Sequence, residues 1–171
     1  MFLVPVVLVR NFFLVLTSHL LMMLNNKNQY IVSLVSSLIG VFLLLTEDFG
    51  AWQDRDPFYG VREGFVYIGS QKAFPWAQIG ILSLSVCLLF LAYKSYIGYS
   101  RSDANSENIR LGYLVSKCMV VISVFFGAVF VLLVWDSNWW WFDTGFYAAI
   151  ISGGINFWIY RQLYQAHLKL S

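Results

Sequence analysis

Trp135-Asp136-Ser137-Asn138-Trp139-Trp140-Trp141-Phe142-Asp143 separates two apolar runs, each long enough to cross a bilayer as a helix. It holds four of the seven tryptophans and has an acid near or at each end. A turn this short between membrane-length runs makes a helical hairpin, and tryptophan favours the level where bilayer meets water. The segment therefore marks one membrane face, from which the remaining segments can be oriented.

The composition agrees with a membrane setting. Of 171 residues, 59% are hydrophobic and 12% charged, whereas about a quarter of an ordinary soluble domain is charged. A backbone crossing lipid must satisfy its own hydrogen bonds, which leaves helices or closed barrels, and the runs lack the apolar-polar alternation of barrel strands. The expected fold is an all-α polytopic bundle of four to five transmembrane helices in a single domain, 1–171. Spans are expected near 3–24, 30–46, 76–96, 111–135 and 142–160, with a hydrophilic outer loop at 47–75 and a polar connector from Lys94 to Arg110.

The first run, Phe2 to Leu24, lacks the basic start and small-residue end of a cleaved signal and carries Arg10 in its middle. Arg10, Asn11, Thr17 and Ser18 fall within an arc of roughly 120° on a helix, a polar stripe expected to face other helices. If this run crosses, there are five spans with the N-terminus outside. If it lies flat or is re-entrant, four remain, and the C-terminus is cytoplasmic in either case.

Lysine and arginine set the orientation. With the tryptophan segment outside, Lys27, Lys94, Arg101, Arg110, Lys117, Arg161 and Lys169 fall on the cytoplasmic side, against Arg55, Arg62 and Lys72 outside. Most acids go the other way, and tryptophan and tyrosine form two belts at opposite faces.

Small residues recur along the spans at spacings that let helix backbones approach closely in lipid. Ser33, Ser37 and Gly40 mark the second run, Gly80 the third, Ser123 and Gly127 the fourth, and Ala149 and Gly153 the last. Asn156 is expected to make a hydrogen bond between helices, worth on average about 0.6 kcal/mol in a membrane.

The loop 47–75 gathers Trp52, Asp54, Arg55, Asp56, Tyr59, Arg62 and Glu63 between punctuating glycines, so that a short helix or a hairpin is the most it can form. Asp54 and Asp56 could hold a hard divalent ion through their oxygens. The plainer reading is a solvated acidic loop with ion pairs such as Asp56 with Arg62, which stabilise by less than ~1 kcal/mol. Trp52, Asp54, Asp56, Tyr59, Arg62, Trp139, Trp140 and Trp141 form the candidate recognition surface on the outer face. No metal or cofactor is assigned: His19 and His167 are the only histidines, and Cys87 and Cys118 lie inside apolar runs. A net charge of +2 without a basic cluster points away from nucleic acid.

From Tyr30 onward the layout is similar to that of claudin-like tetraspan proteins: four helices, cytoplasmic ends, a larger first outer loop, a short second one, and Gly145-Phe146-Tyr147-Ala148-Ala149 opening the last helix. Those proteins pair two cysteines after a Gly-Leu-Trp segment. Here Gly50-Ala51-Trp52 is followed by no cysteine before Cys87, and the run ahead of Tyr30 is extra. The resemblance is one of layout.

No nucleophile-base, P-loop, zinc-protease or dinucleotide motif occurs in the sequence. The expected role is a non-catalytic integral membrane protein, an accessory, assembly or scaffold subunit whose partners are the bilayer and other membrane subunits or its own copies. A membrane enzyme or carrier using the loop 47–75 on a lipid-like substrate, and a small channel or transporter with a path past Asn156, are the alternatives.

Overall fold

The computed structural model describes residues 26–56, 60–66, 75–100, 106–137 and 139–168. The expectations for the run 3–24, His19 and Tyr59 lie outside these residues. In chain order the elements are α1 (Asn26–Thr46), β1 (Gly50–Asp56), β2 (Gly60–Val66), α2 (Pro75–Ser100), α3 (Ser106–Leu133), β3 (Trp139–Phe142) and α4 (Thr144–Leu168).

Each helix begins at the end of the bundle where its predecessor stopped, so the chain runs up and down. The helices close into a ring in which α1 packs on α2 and α4, and α3 packs on α2 and α4. Leu44, Ile81, Leu84, Leu88, Leu91, Met119 and Ile159 fill the interior. The outward faces carry Val35, Phe42, Val86, Leu89, Val124, Leu132 and Ile151, all exposed. A protein surrounded by water rarely presents so much contiguous apolar surface. Lys27–Thr46, Gln78–Ser100 and Ser106–Leu133 are each long and apolar enough to cross a membrane. The fourth helix is also long enough, with 25 residues. Its glycines, Ser152 and Asn156 make it less apolar.

The helices outrun the apolar stretches that announced them. Most of the connector expected from Lys94 to Arg110 is helical, because α2 continues to Ser100 and α3 starts at Ser106. Polar residues at these positions do not break a helix once neighbours supply contacts. Lys94 Nζ donates to Asn108 Oδ1 at 2.9 Å and stands 5.3 Å above the Phe90 ring, tying the end of α2 to the start of α3. In the same way α4 passes the apolar limit near Tyr160 and reaches Leu168.

The second correction concerns fold class. The described chain is mostly helical but not all-α, since a three-stranded antiparallel sheet of order β2-β1-β3 caps one end of the bundle. The loop expected at 47–75 takes the hairpin form, with Trp52 opposite Gly64 and Asp54 opposite Arg62. The segment 135–143 is a turn only at its start, where the Ser137 amide donates to the Val134 carbonyl at 2.9 Å. Its tryptophans then extend as β3 alongside β1, pairing Gly50 with Phe142 and Trp52 with Trp140.

One joint holds the sheet to the helices. The Asp143 amide donates to the Phe49 carbonyl at 3.2 Å, and the Gly145 amide donates to the Asp48 carbonyl at 2.9 Å. Asp143 also starts α4: its carbonyl accepts the Phe146 amide at 3.0 Å, and its Oδ1 accepts the Thr144 amide at 2.7 Å. A carboxylate here satisfies a first-turn donor and complements the helix dipole. Only glycine fits at 145, since a Cβ would stand 2.9 Å from the Asp48 carbonyl oxygen.

Candidate functional site

The sheet brings together Gly50–Val66 and Trp139–Phe142, two segments far apart in sequence. Alternation along a strand sends successive side chains to opposite faces, and directly paired residues share a face. One face therefore carries Gly50, Trp52 and Asp54 with Gly64, Trp140 and Phe142. The other carries Ala51 and Gln53 with Trp141 and Trp139.

The first face is anchored by aromatic packing. Phe130, near the end of α3, lies edge-on to Trp140 at 6.4 Å between ring centroids and 5.5 Å from Phe142. Phe142 stacks on Phe146 at 3.9 Å, and Phe146 meets Phe49 edge-on at 5.4 Å. Gly50 admits the Phe130 ring and Gly64 lies under the Trp52 indole; a side chain at either position would collide with these rings. Rings paired edge-on or offset contribute about 0.5–1.5 kcal/mol beyond their burial. The cluster is thus a stiff seat for the sheet.

The second face is closed over Ala51, which is fully buried, and open at its tryptophans. Trp139 is 67% exposed and Trp141 43%, and Trp135 in the adjoining turn is 70% exposed. β3 is an edge strand of the sheet, and no charged residue or proline interrupts it, although such residues usually blunt an exposed edge. The expected recognition residues therefore divide. Trp52 and Trp140 lie opposite one another on the seated face, while Trp139 and Trp141 point away from it. Arg62 stands opposite Asp54, so the register does not place it across from Asp56, which pairs with Gly60.

The joint carries the acids Glu47, Asp48 and Asp143. The Asp48 carboxyl is held above its ordinary range by burial and by the charges of Asp143 and Glu47. Among the described residues, no group of three histidine, cysteine or acidic side chains could hold a metal ion.

A second polar assembly lies inside the ring of helices. Ser33 donates to Asn156 Oδ1 and its hydroxyl lies 2.6 Å from that of Ser95. Ser95 bonds in turn with the Tyr160 hydroxyl at 3.0 Å. Asn156 Nδ2 donates to Ser37 Oγ at 3.0 Å and to the Ser152 carbonyl at 2.8 Å. Nearer the end opposite the sheet, Gln29 Nε2 donates to Gln162 Oε1 at 3.4 Å. The chain of bonds joins α1, α2 and α4 within a buried interior, where an unmade hydrogen bond is costly.

Of the expected packing residues, Ser33, Ser37 and Asn156 belong to this network. Gly40 admits Ser152 and Leu88, Gly80 admits the Phe126 ring, and Gly127 admits Phe146. Ala149 is fully buried. Ser123 turns back to its own helix, donating to the Met119 carbonyl at 2.9 Å. Gly153 is looser, because a Cβ there would make ordinary contacts with Met119 and Val120 at 3.5 Å. Ser95, Tyr160 and Gly112 were not singled out by the sequence. Ser95 and Tyr160 fall at the limits of apolar runs, where tyrosines read as belt residues; Gly112 has Ser116 four residues on, the small-residue spacing that could have found it.

No family model, curated protein or solved structure matches the chain.

Proposed function

We propose that this chain is a multi-pass membrane protein acting as a non-catalytic accessory or assembly subunit, with the sheet as the surface that meets its partner. In this reading the sheet end faces outward and the C-terminus is cytoplasmic, following the excess of lysine and arginine at the opposite end. The observation that carries it is the pairing of β1 with β3. That pairing fuses the two outer segments into one rigid platform and leaves Trp139 and Trp141 exposed beside Gln53. Rigid aromatic rings bury much area at little entropic cost, which suits the centre of an interface. The same rings also suit the lipid boundary, and Trp135, beyond the sheet, is assigned to that role.

The interior supports the same reading. Ser33, Ser37, Ser95, Asn156 and Tyr160 join helices through hydrogen bonds, and Gly80, Gly112 and Gly127 admit rings from neighbouring helices. The partner is another membrane protein or a second copy of this chain.

The test is the size of the particle extracted in native nanodiscs from its own membrane, with co-purifying chains quantified. An assembly larger than one chain is expected, reduced at least several-fold by Trp139→Ala with Trp141→Ala and kept by Trp135→Ala. A lone monomer in both backgrounds would sink the reading. Loss with Trp135→Ala alone would reassign the contact to the lipid boundary.

A further inference from the structure

Three aromatic rings stack across the seam between α3 and α4, toward the end of the bundle away from the sheet. Tyr113 of α3 lies 5.4 Å between ring centroids from Tyr164 of α4 and 5.6 Å from Phe157. Arg110 and Lys117 stand three residues before Tyr113 and four after it, and Arg161 stands four after Phe157 and three before Tyr164. Residues three and four apart share a helix face, so the three cations border one stack of rings, and all three are exposed. Leu114, Val121 and Val124 are exposed on the same side of α3. On α4, a Cβ at Gly154 would meet nothing within 4 Å.

We propose that this rim binds an anionic phospholipid, its phosphate held by Lys117, Arg161 and Arg110 and an acyl chain laid along Val121, Val124 and Gly154. This rests on the reading of the bundle as membrane-embedded but not on the sheet meeting a partner. Three observations select this occupant. The first is depth. Lys117 lies roughly 24 Å along α3 from Leu133 at the sheet end, so with the sheet at one boundary its backbone falls inside a hydrocarbon core about 30 Å thick. A charge left there is costly.

The second is direction. Helical side chains lean toward their own N-terminus, which carries Lys117 along apolar surface to the nearer boundary, where phosphates lie. Arg161, on the antiparallel helix, leans the opposite way and meets it at that level. A guanidinium fork matches phosphate oxygens and an ammonium adds a point charge. Glu107, the acid nearest on α3, lies a turn beyond Arg110, toward water.

The third is the apolar surface that continues from Lys117 toward the sheet. A phospholipid joins an anion to a hydrocarbon chain and covers both parts of the rim, whereas a water-soluble anion would leave the valines bare.

Lipid retention by the full-length protein tests the site. The purified chain is exchanged into mixed micelles of phosphatidylglycerol and phosphatidylcholine in equal amounts, and the lipids kept on it are counted by native mass spectrometry. Phosphatidylglycerol is expected to be retained at least several-fold over phosphatidylcholine. Lys117→Gln should lower that preference, Lys117→Gln with Arg161→Gln should abolish it, and Lys117→Arg should keep it. Lys27→Gln removes an exposed cation at the same end of the bundle, on α1, and should leave it unchanged. Phosphatidylcholine retention equal to the parent reports an intact bundle in each variant. No preference in the parent, or the same loss from Lys27→Gln as from Lys117→Gln, would overturn the proposal. A parent that retained neither lipid would sink the membrane reading as well. The nanodisc particle size and its dependence on Trp139 and Trp141 are separate readouts, so the two proposals fail separately.

Discussion

Tyr160 of α4 occupies the space that any side chain at position 112 of α3 would need. The same ring meets Tyr30 of α1 edge-on at 6.5 Å, and its hydroxyl bonds to Ser95 of α2 at 3.0 Å. One buried side chain therefore touches all three other described helices. Gly112→Val should force the ring aside and cost about 1–3 kcal/mol, the range for overpacking a core. Gly154→Ala, where a Cβ meets nothing within 4 Å, should be neutral or stabilise by up to ~1 kcal/mol through helix propensity. Reversible unfolding in mixed micelles compares the two variants directly.

Asn156 is the acceptor for both Ser33 and Ser37. Asn156→Ala should leave those hydroxyls without their partner and cost about 1–3 kcal/mol. Adding Ser37→Ala should then cost less than it does in the parent, because the two residues share one network. Additive losses in the double-mutant cycle would show that the bonds act independently.

Gly64 lies beneath the Trp52 indole, on a strand whose last residue, Val66, is buried in the core. Gly64→Val should lift the ring and loosen the hairpin while leaving the helices in place. Hydrogen exchange is expected to rise at 50–56 and 60–66 and to stay unchanged through 81–92. A rise in the helices as well would mean that the sheet is needed for the bundle to hold.

Acidity should tighten the joint at Asp48. Its carboxyl is raised in the folded chain, by burial first and then by Asp143 and Glu47, so folding disfavours the charged form. The penalty is fully present above the folded value and disappears as pH falls through that value toward the ordinary 3.8. Exchange at the Gly145 amide, bonded to the Asp48 carbonyl, should therefore be better protected at mildly acidic pH than at pH 7, after correction for intrinsic rates. Asp48→Asn should remove most of that difference; an unchanged pH response would assign it to Glu47 or Asp143.

Periodicity and composition are local quantities, and the features that depend on them could be read directly. The apolar runs located the helices; Ser33 and Ser37 lie in the buried network, and Gly40 lies against Ser152 and Leu88. Helix ends were misplaced at Lys94–Ser100 and Arg161–Leu168, because tertiary contacts such as Lys94 with Asn108 hold residues helical after apolarity has ended. The strands were harder to see. Trp139–Phe142 has four bulky residues and no alternation, and only the arrival of Gly50–Gln53 alongside makes it a strand.

The sequence by itself determined where the chain is apolar, which residues are small enough for close approach, and which end of the bundle carries the positive charge, since each follows from residue type and spacing. Only the tertiary structure decided which small residue receives which ring, how Ser33, Ser95, Asn156 and Tyr160 share hydrogen bonds, and that the tryptophan segment is the third strand of a sheet. Those are relations between residues far apart in sequence, fixed by shape and hydrogen-bond geometry that spacing along one chain does not encode. The tryptophan segment is half of a platform at one end of the bundle, and the other half begins at Gly50.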